Sequence, residues 1–259
     1  MFDSVEPWEA ATSLVLVATA IVVSLWYRLG LERSLIWSSI RAGVQLLIVG
    51  GLLALVVESD SLWWAWLWVL GMLAIAGATV QRRLPAIPRI WIAGTAAVGA
   101  ATAVVLAVIF GLGILDLEPI PLVVIAGITI GNTMPATVQA VDQVRKYLQD
   151  RRGDIESLLA LGFDRRGATR FLVQEVTRTA LVPQIERTKV VGLVALPGAM
   201  TGLLLAGAEP LDAVLAQLVI MYLVLGSVAT SVALVATSAA QRALTPDLRL
   251  REGLDHGSS

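Results

Sequence analysis

Residues 211–239 read LDAVLAQLVIMYLVLGSVATSVALVATSA, a stretch with a single acid, Asp212, and no base. A helix rising 1.5 Å per residue needs about 20 apolar residues to cross the hydrocarbon core of a bilayer, and this stretch is long enough. Upstream lie six more apolar runs, at 8–27, 38–57, 62–79, 90–115, 120–138 and 190–206. With 57% hydrophobic residues and a mean hydropathy of +0.79, the chain is far more apolar than a soluble domain of 259 residues needs to be. None of the runs alternates with the period of a barrel strand, and an isolated strand leaves its backbone polar groups unpaired in lipid. The expected fold is therefore all-α and polytopic, with about seven transmembrane helices forming one permease-sized domain over 1–259.

Charge gives these spans a direction. The N-terminus carries Asp3, Glu6 and Glu9, and the second, fourth and sixth connections carry Glu58 and Asp60, Asp116 and Glu118, Glu209 and Asp212, without a Lys or Arg among them. The bases fall in the alternate segments: Arg28, Arg33 and Arg41; Arg82, Arg83 and Arg89; the stretch from Arg145 to Lys189; and Arg242, Arg249 and Arg251. The positive-inside rule then sets the N-terminus outside and the C-terminus in the cytoplasm of a cell-membrane protein. Acids rather than bases precede the first run, so it is expected to be a retained span and not a cleaved signal. Trp63, Trp64, Trp66 and Trp68 follow an acidic outer connection and suit an interfacial aromatic belt. Cysteine is absent and the one histidine, His256, sits in a polar tail at 245–259 expected to be disordered, which excludes thiol and imidazole chemistry.

Ten of the nineteen bases lie between Arg145 and Lys189. Val141, Val144, Leu148, Ile155 and Leu159 recur there at helical spacing, so a cytoplasmic helical loop is expected over 141–187. Gly153 interrupts it, Asp154 can cap a short helix that stops at Gly162, and Asp164 can cap a third helix ended by Pro183. A short helix between two others suits insertion into a groove of a partner. Ile155, Leu158 and Leu159 offer an apolar face, and Glu156, Arg151 and Arg152 a charged rim. In IESLLALG (155–162) a Glu precedes a Gly by six residues, as in the coupling loop of ABC importer permeases. The same pattern fits an ordinary amphipathic surface helix.

Three segments narrow the reading: GITIGNTMPA at 127–136, IESLLALGFDRRGA at 155–168 and VGLVALPGAMTGLLLAG at 191–207. In this order and spacing they resemble the FetB-type iron-export ABC permeases, a family that includes plant aluminium-tolerance permeases. The resemblance runs from about Arg41 and Gln45 to Met221. It implies a permease homodimer that exports iron or a related solute and is driven by a separate ABC ATPase holding ATP and Mg. This chain has no G-x-x-x-x-G-K-[ST] loop, and its two lysines, Lys146 and Lys189, follow no glycine-rich stretch, so it is expected to bind no cofactor and to leave hydrolysis to that partner.

For the substrate path, Pro197 and Gly198 are expected to break the sixth span near its middle, with Met200 and Thr201 beyond. Gly131 and Pro135 would break the fifth span around Asn132 and Met134. Freed carbonyls, an amide, a hydroxyl and two thioethers suit a passing metal ion, for which Asn132, Met134, Met200 and Glu186 are the candidate ligands. A kink with small-residue packing explains the same residues, and Glu186 can instead pair with Arg187 or Lys189. Gln45 is expected to line the path or bond across helices, and Arg41 to reach the inner surface. Competing readings are a permease for a nucleotide sugar or other organic solute, which would want bases along the path, and a seven-helix receptor without an ATPase. The last span holds no lysine for a retinal Schiff base, and no nucleic-acid-binding feature is present.

Overall fold

The structure, a computed structural model, describes residues 12–59, 61–85, 87, 89–192 and 195–251, with the backbone alone at 52 and 54–59. It is all-helical: α1 (Leu14–Trp26), α2 (Glu32–Ser59), α3 (Leu62–Arg83), α4 (Ile90–Gly111), α5 (Pro119–Asp150), α6 (Arg152–Ala160), α7 (Arg165–Val190), α8 (Gly198–Leu205) and α9 (Pro210–Arg242). Among the described residues five helices, α2 to α5 and α9, are long and apolar enough to cross a membrane. The chain divides into two compact units between Ser61 and Leu62.

In the first unit α1 and α2 pack on each other. Their turn is closed by the buried Ser24, whose Oγ donates to Glu32 Oε1 at 2.7 Å and accepts from the Leu31 amide at 3.2 Å. The expected first span, 8–27, corresponds to α1 with 13 described helical residues, while its start lies outside the described residues.

In the second unit α5 and α9 form the centre. α9 touches α4, α5, α7 and α8, while α5 touches α3, α4, α6, α7 and α9. Both helices bury small polar residues: Thr129, Thr133 and Thr137 on α5, Ser227 and Ser231 on α9. The threonine hydroxyls bond to carbonyls of their own helix, and Thr137 shares a 2.7 Å hydrogen bond with Ser231 across the seam. Small side chains let helix backbones approach where lipid supplies no hydrophobic drive. α3 and α4 use the same device, since a Cβ on Gly94 would meet Val80 Cβ at 2.7 Å and one on Gly77 would fall on Thr95 Oγ1.

Several expectations are corrected. The fifth span is not broken: α5 continues through Gly131 and Pro135 for 32 residues. Proline costs the bond to the Gly131 carbonyl, but Pro135 is exposed, and the buried threonines on the other side keep the helix seated on α9. Pro183 likewise fails to end α7, which runs for 26 residues because Ala168, Leu172, Val176 and Ala180, spaced four apart, are buried along one face. The sixth span, expected at 190–206, is not one helix. α7 stops at Val190, the chain leaves helix, and it resumes as the eight-residue α8 capped by Pro197. At about 1.5 Å per residue α8 is far shorter than a bilayer core. Asp154 does not cap α6; Arg151 holds that position and Asp154 lies in the first turn. The tail is held as far as Arg251: Thr245 N donates to Arg249 O at 2.8 Å, Arg251 Nε to Arg242 O at 2.8 Å, and Leu250 is buried.

Gly94→Val forces a branched side chain into Val80 and should destabilise the bundle by about 1–3 kcal/mol, seen as a lower melting temperature in detergent. Gly99→Ala, whose Cβ would meet only Leu73 at 3.8 Å, should leave melting unchanged.

Candidate functional site

The interruption between α7 and α8 opens a pocket of about 400 Å³ on the second unit. Each helix contributes one face. α5 supplies Ile128 and Asn132, one turn apart; α7 supplies Gln184, Arg187 and Thr188; α9 supplies Gln217, Ile220, Met221 and Val224. These spacings of three, four and seven place each set on one side of its helix. Val191, Pro197, Gly198 and Ala199 close the pocket from the interruption.

Its polar groups are partly committed. Asn132 Nδ2 donates to Ile128 O at 2.7 Å and Thr188 Oγ1 to Gln184 O at 2.9 Å. Gln217 is only 9% exposed, and its buried Oε1 has no hydrogen-bond partner among the described residues. A buried amide oxygen left unpaired costs about 1–3 kcal/mol, so this one marks a place where a ligand group or water completes the set. Arg187 is the one charged residue of the lining. Its neighbour Glu186 is exposed and pairs with Lys189, Nζ to Oε1 at 2.8 Å.

Of the expected path residues, Asn132, Pro197 and Gly198 line the pocket. Met134 and Met200 are half-buried outside its lining. Two residues beyond Asn132, Met134 sits about 200° round α5. Thr201 bonds Pro197 O through Oγ1 at 3.1 Å, and Gln45 is exposed on α2 in the other unit. The structure therefore does not gather Asn132, Met134, Glu186 and Met200 into one coordination sphere. Among the described residues no three His, Cys, Asp or Glu side chains cluster. Sequence reasoning missed Gln184, Arg187 and Gln217. The first two were hidden by ending α7 at Pro183; Gln217 had a signal, a lone amide inside an apolar span.

At the far end of α5 the chain folds into an elbow. α6 packs on α5 and α7. Ile155, 2% exposed, lies in the core with Leu148 and Leu172, and Leu159 packs against the same core. Glu156 pairs with Arg152 Nε at 2.8 Å, and Asp154 lies 3.7 Å from Arg151. Gly162 takes φ +86°, and Gly162 N and Phe163 N return to Leu159 O and Leu158 O, a left-handed C-cap that suits glycine. Asp164 then caps α7, as expected, accepting from Gly167 N at 2.8 Å. The apolar side chains turned outward are not Ile155 and Leu159 but Leu161 and Phe163, 76% and 48% exposed. Arg165 joins the elbow to the end of α9, donating to Gln241 O at 3.2 Å and Thr245 O at 2.9 Å.

The profile of the family described as "Uncharacterised protein family (UPF0014)" matches residues 7–244, and the chain belongs to that family. It is 36% identical over 218 residues to the UPF0014 membrane protein STAR2 of Oryza sativa subsp. japonica, covering 84% of this chain and 76% of that one. It is 32% identical over 223 residues to the protein ALUMINUM SENSITIVE 3 of Arabidopsis thaliana, with 86% and 82% covered. To the probable iron export permease protein FetB of Escherichia coli (strain K12) it is 32% identical over 221 residues, 85% of each chain. No solved structure matches the chain.

Replacing Arg165 by Met removes its charge-assisted bonds to Gln241 of α9 and to Thr245 just beyond it, and should destabilise the second unit by about 1.5–3 kcal/mol, measured as a fall in melting temperature. An unchanged melting curve would mean that the elbow and α9 are held together by packing alone.

Proposed function

We propose that this UPF0014 member is the membrane-spanning subunit of an ATP-driven ABC exporter, moving iron or a related metal out of the cytoplasm. The observation that carries this is the likeness to a probable iron export permease along 85% of both chains, with no large insertion needed to reach that coverage. The chain itself acts as a transport subunit, and ATP and Mg belong to a separate ATPase. Two copies forming a homodimer would supply enough helices for a path between two ATPases.

The elbow is the docking point for that ATPase. Its exposed apolar groups, Leu161 and Phe163, follow α6 and its Arg152–Glu156 pair in the chain, an apolar contact and charged groups of the kind that helix-in-groove docking uses. Ile155 and Leu159 support the elbow from within, so their replacement tests folding rather than docking. The pocket between α5, α7, α8 and α9 is the place where the path meets irregular backbone, a feature that survives in a bilayer only where it is buried in protein or lines a cavity.

Co-expression with its ATPase should lower cellular iron, read as total metal by mass spectrometry, and Phe163→Asp or Glu156→Arg should restore iron to the control level while the chain still inserts. Unchanged iron with the intact pair, alongside a changed content of another solute, would redirect the substrate assignment. The absence of cysteine makes orientation directly testable. Ser157→Cys, on the exposed side of α6, should react with a membrane-impermeant maleimide in inside-out vesicles and be protected in intact cells.

A further inference from the structure

We propose that the pocket takes its cargo as an oxygen-rich anion, so that the metal crosses as a carboxylate complex rather than as a bare cation. The inference rests on the export reading above and narrows it to a ligand class. Three features on separate elements converge. Arg187 is the lining's one charge, has no carboxylate partner among the described residues, and stands beside a Glu186 already occupied by Lys189. Pro197, Gly198 and Ala199 bring the N-terminus of α8 to the pocket. Amides of a first helical turn lack intrahelical acceptors, and here no capping side chain serves them. They add partial positive charge where the space beside Gly198 is open, with nothing within 4 Å of a Cβ built there. The third feature is Gln217, buried on α9 with an amide oxygen that has no hydrogen-bond partner among the described residues.

A ferrous ion would ask for carboxylate or imidazole, and the lining has neither. It would also meet a guanidinium at close range. A hydroxycarboxylate such as citrate reverses both objections. Its carboxylates face Arg187 and the α8 amides, its hydroxyl can donate to the Gln217 oxygen, and its own oxygens hold the metal.

The test uses the full chain in lipid nanodiscs with three probes: radiolabelled citrate, ferric citrate and ferrous iron alone. Citrate should bind saturably with or without iron, and ferrous iron alone should not. Arg187→Met should weaken citrate binding by about ten-fold or more, the usual loss for a charge-assisted contact, while Arg187→Lys retains most of it. Gln217→Leu should weaken it less, and matching melting curves would exclude a folding defect. Saturable ferrous binding indifferent to Arg187→Met, or citrate binding equal in Arg187→Met and the parent, would overturn the proposal. Citrate binding that depends on Arg187 in a chain whose co-expression leaves cellular iron unchanged would sink the iron reading and keep the oxyanion site. A fall in cellular iron without citrate binding would do the reverse.

Discussion

One hydrogen bond between hydroxyls, Thr137 to Ser231 at 2.7 Å, lies at the centre of the seam between α5 and α9, and the other elements of the second unit are arranged about that seam. In lipid the hydrophobic effect gives helices no reason to prefer each other over acyl chains, so close backbone approach and shared polar contacts must do so. The stripe of threonine and serine meets both needs, being small enough for contact and self-satisfied through carbonyls one turn back. Once α5 and α9 are registered, the pocket residues Asn132 and Gln217 are fixed relative to each other, and the elbow at the end of α5 is fixed as well.

This arrangement explains why two prolines in helices do so little and a third does so much. Pro135 and Pro183 sit on exposed sides of helices whose opposite faces are bound to the bundle, so each loses one backbone bond and the helix persists. Pro197 follows described residues with no comparable buried face: Val190, Gly192, Ala195 and Leu196 are exposed, and helix ends at Val190 before α8 begins at Gly198. The difference lies in tertiary anchoring, which overrides the local effect of proline.

The same distinction marks what the sequence made legible. The long apolar spans α2 to α5 and α9, the short α6 between two helices and the Asp164 cap depend on composition, periodicity and one side-chain bond, and each can be read locally. The all-helical polytopic fold followed from those signals, whereas the chain leaves helix after Val190 and Pro197 caps the start of α8. Which side of α6 faces outward depends on what lies behind it, and Ile155 turned inward because Leu148 and Leu172 offer it a core. The pocket was half legible. Asn132 and the break were marked by residue type, but Gln184 and Arg187 join them only if α7 continues past Pro183, a decision made by four buried residues further back along that helix. The two thioethers lie outside the pocket lining; Met134, two residues beyond Asn132 on α5, points to another side of that helix, and Met200 belongs to α8.

Arg165 gives the elbow and the pocket a common axle. Its guanidinium grips the Gln241 carbonyl in the last turn of α9 and the Thr245 carbonyl just beyond it, while Gln217 sits on α9 about 24 residues before Gln241, about 36 Å at helical rise. A helix packed along its length bends little over that distance, so a displacement at one end arrives at the other as a shift or rotation of the whole rod. A force applied to the elbow must therefore either break both guanidinium bonds or turn the wall of the pocket.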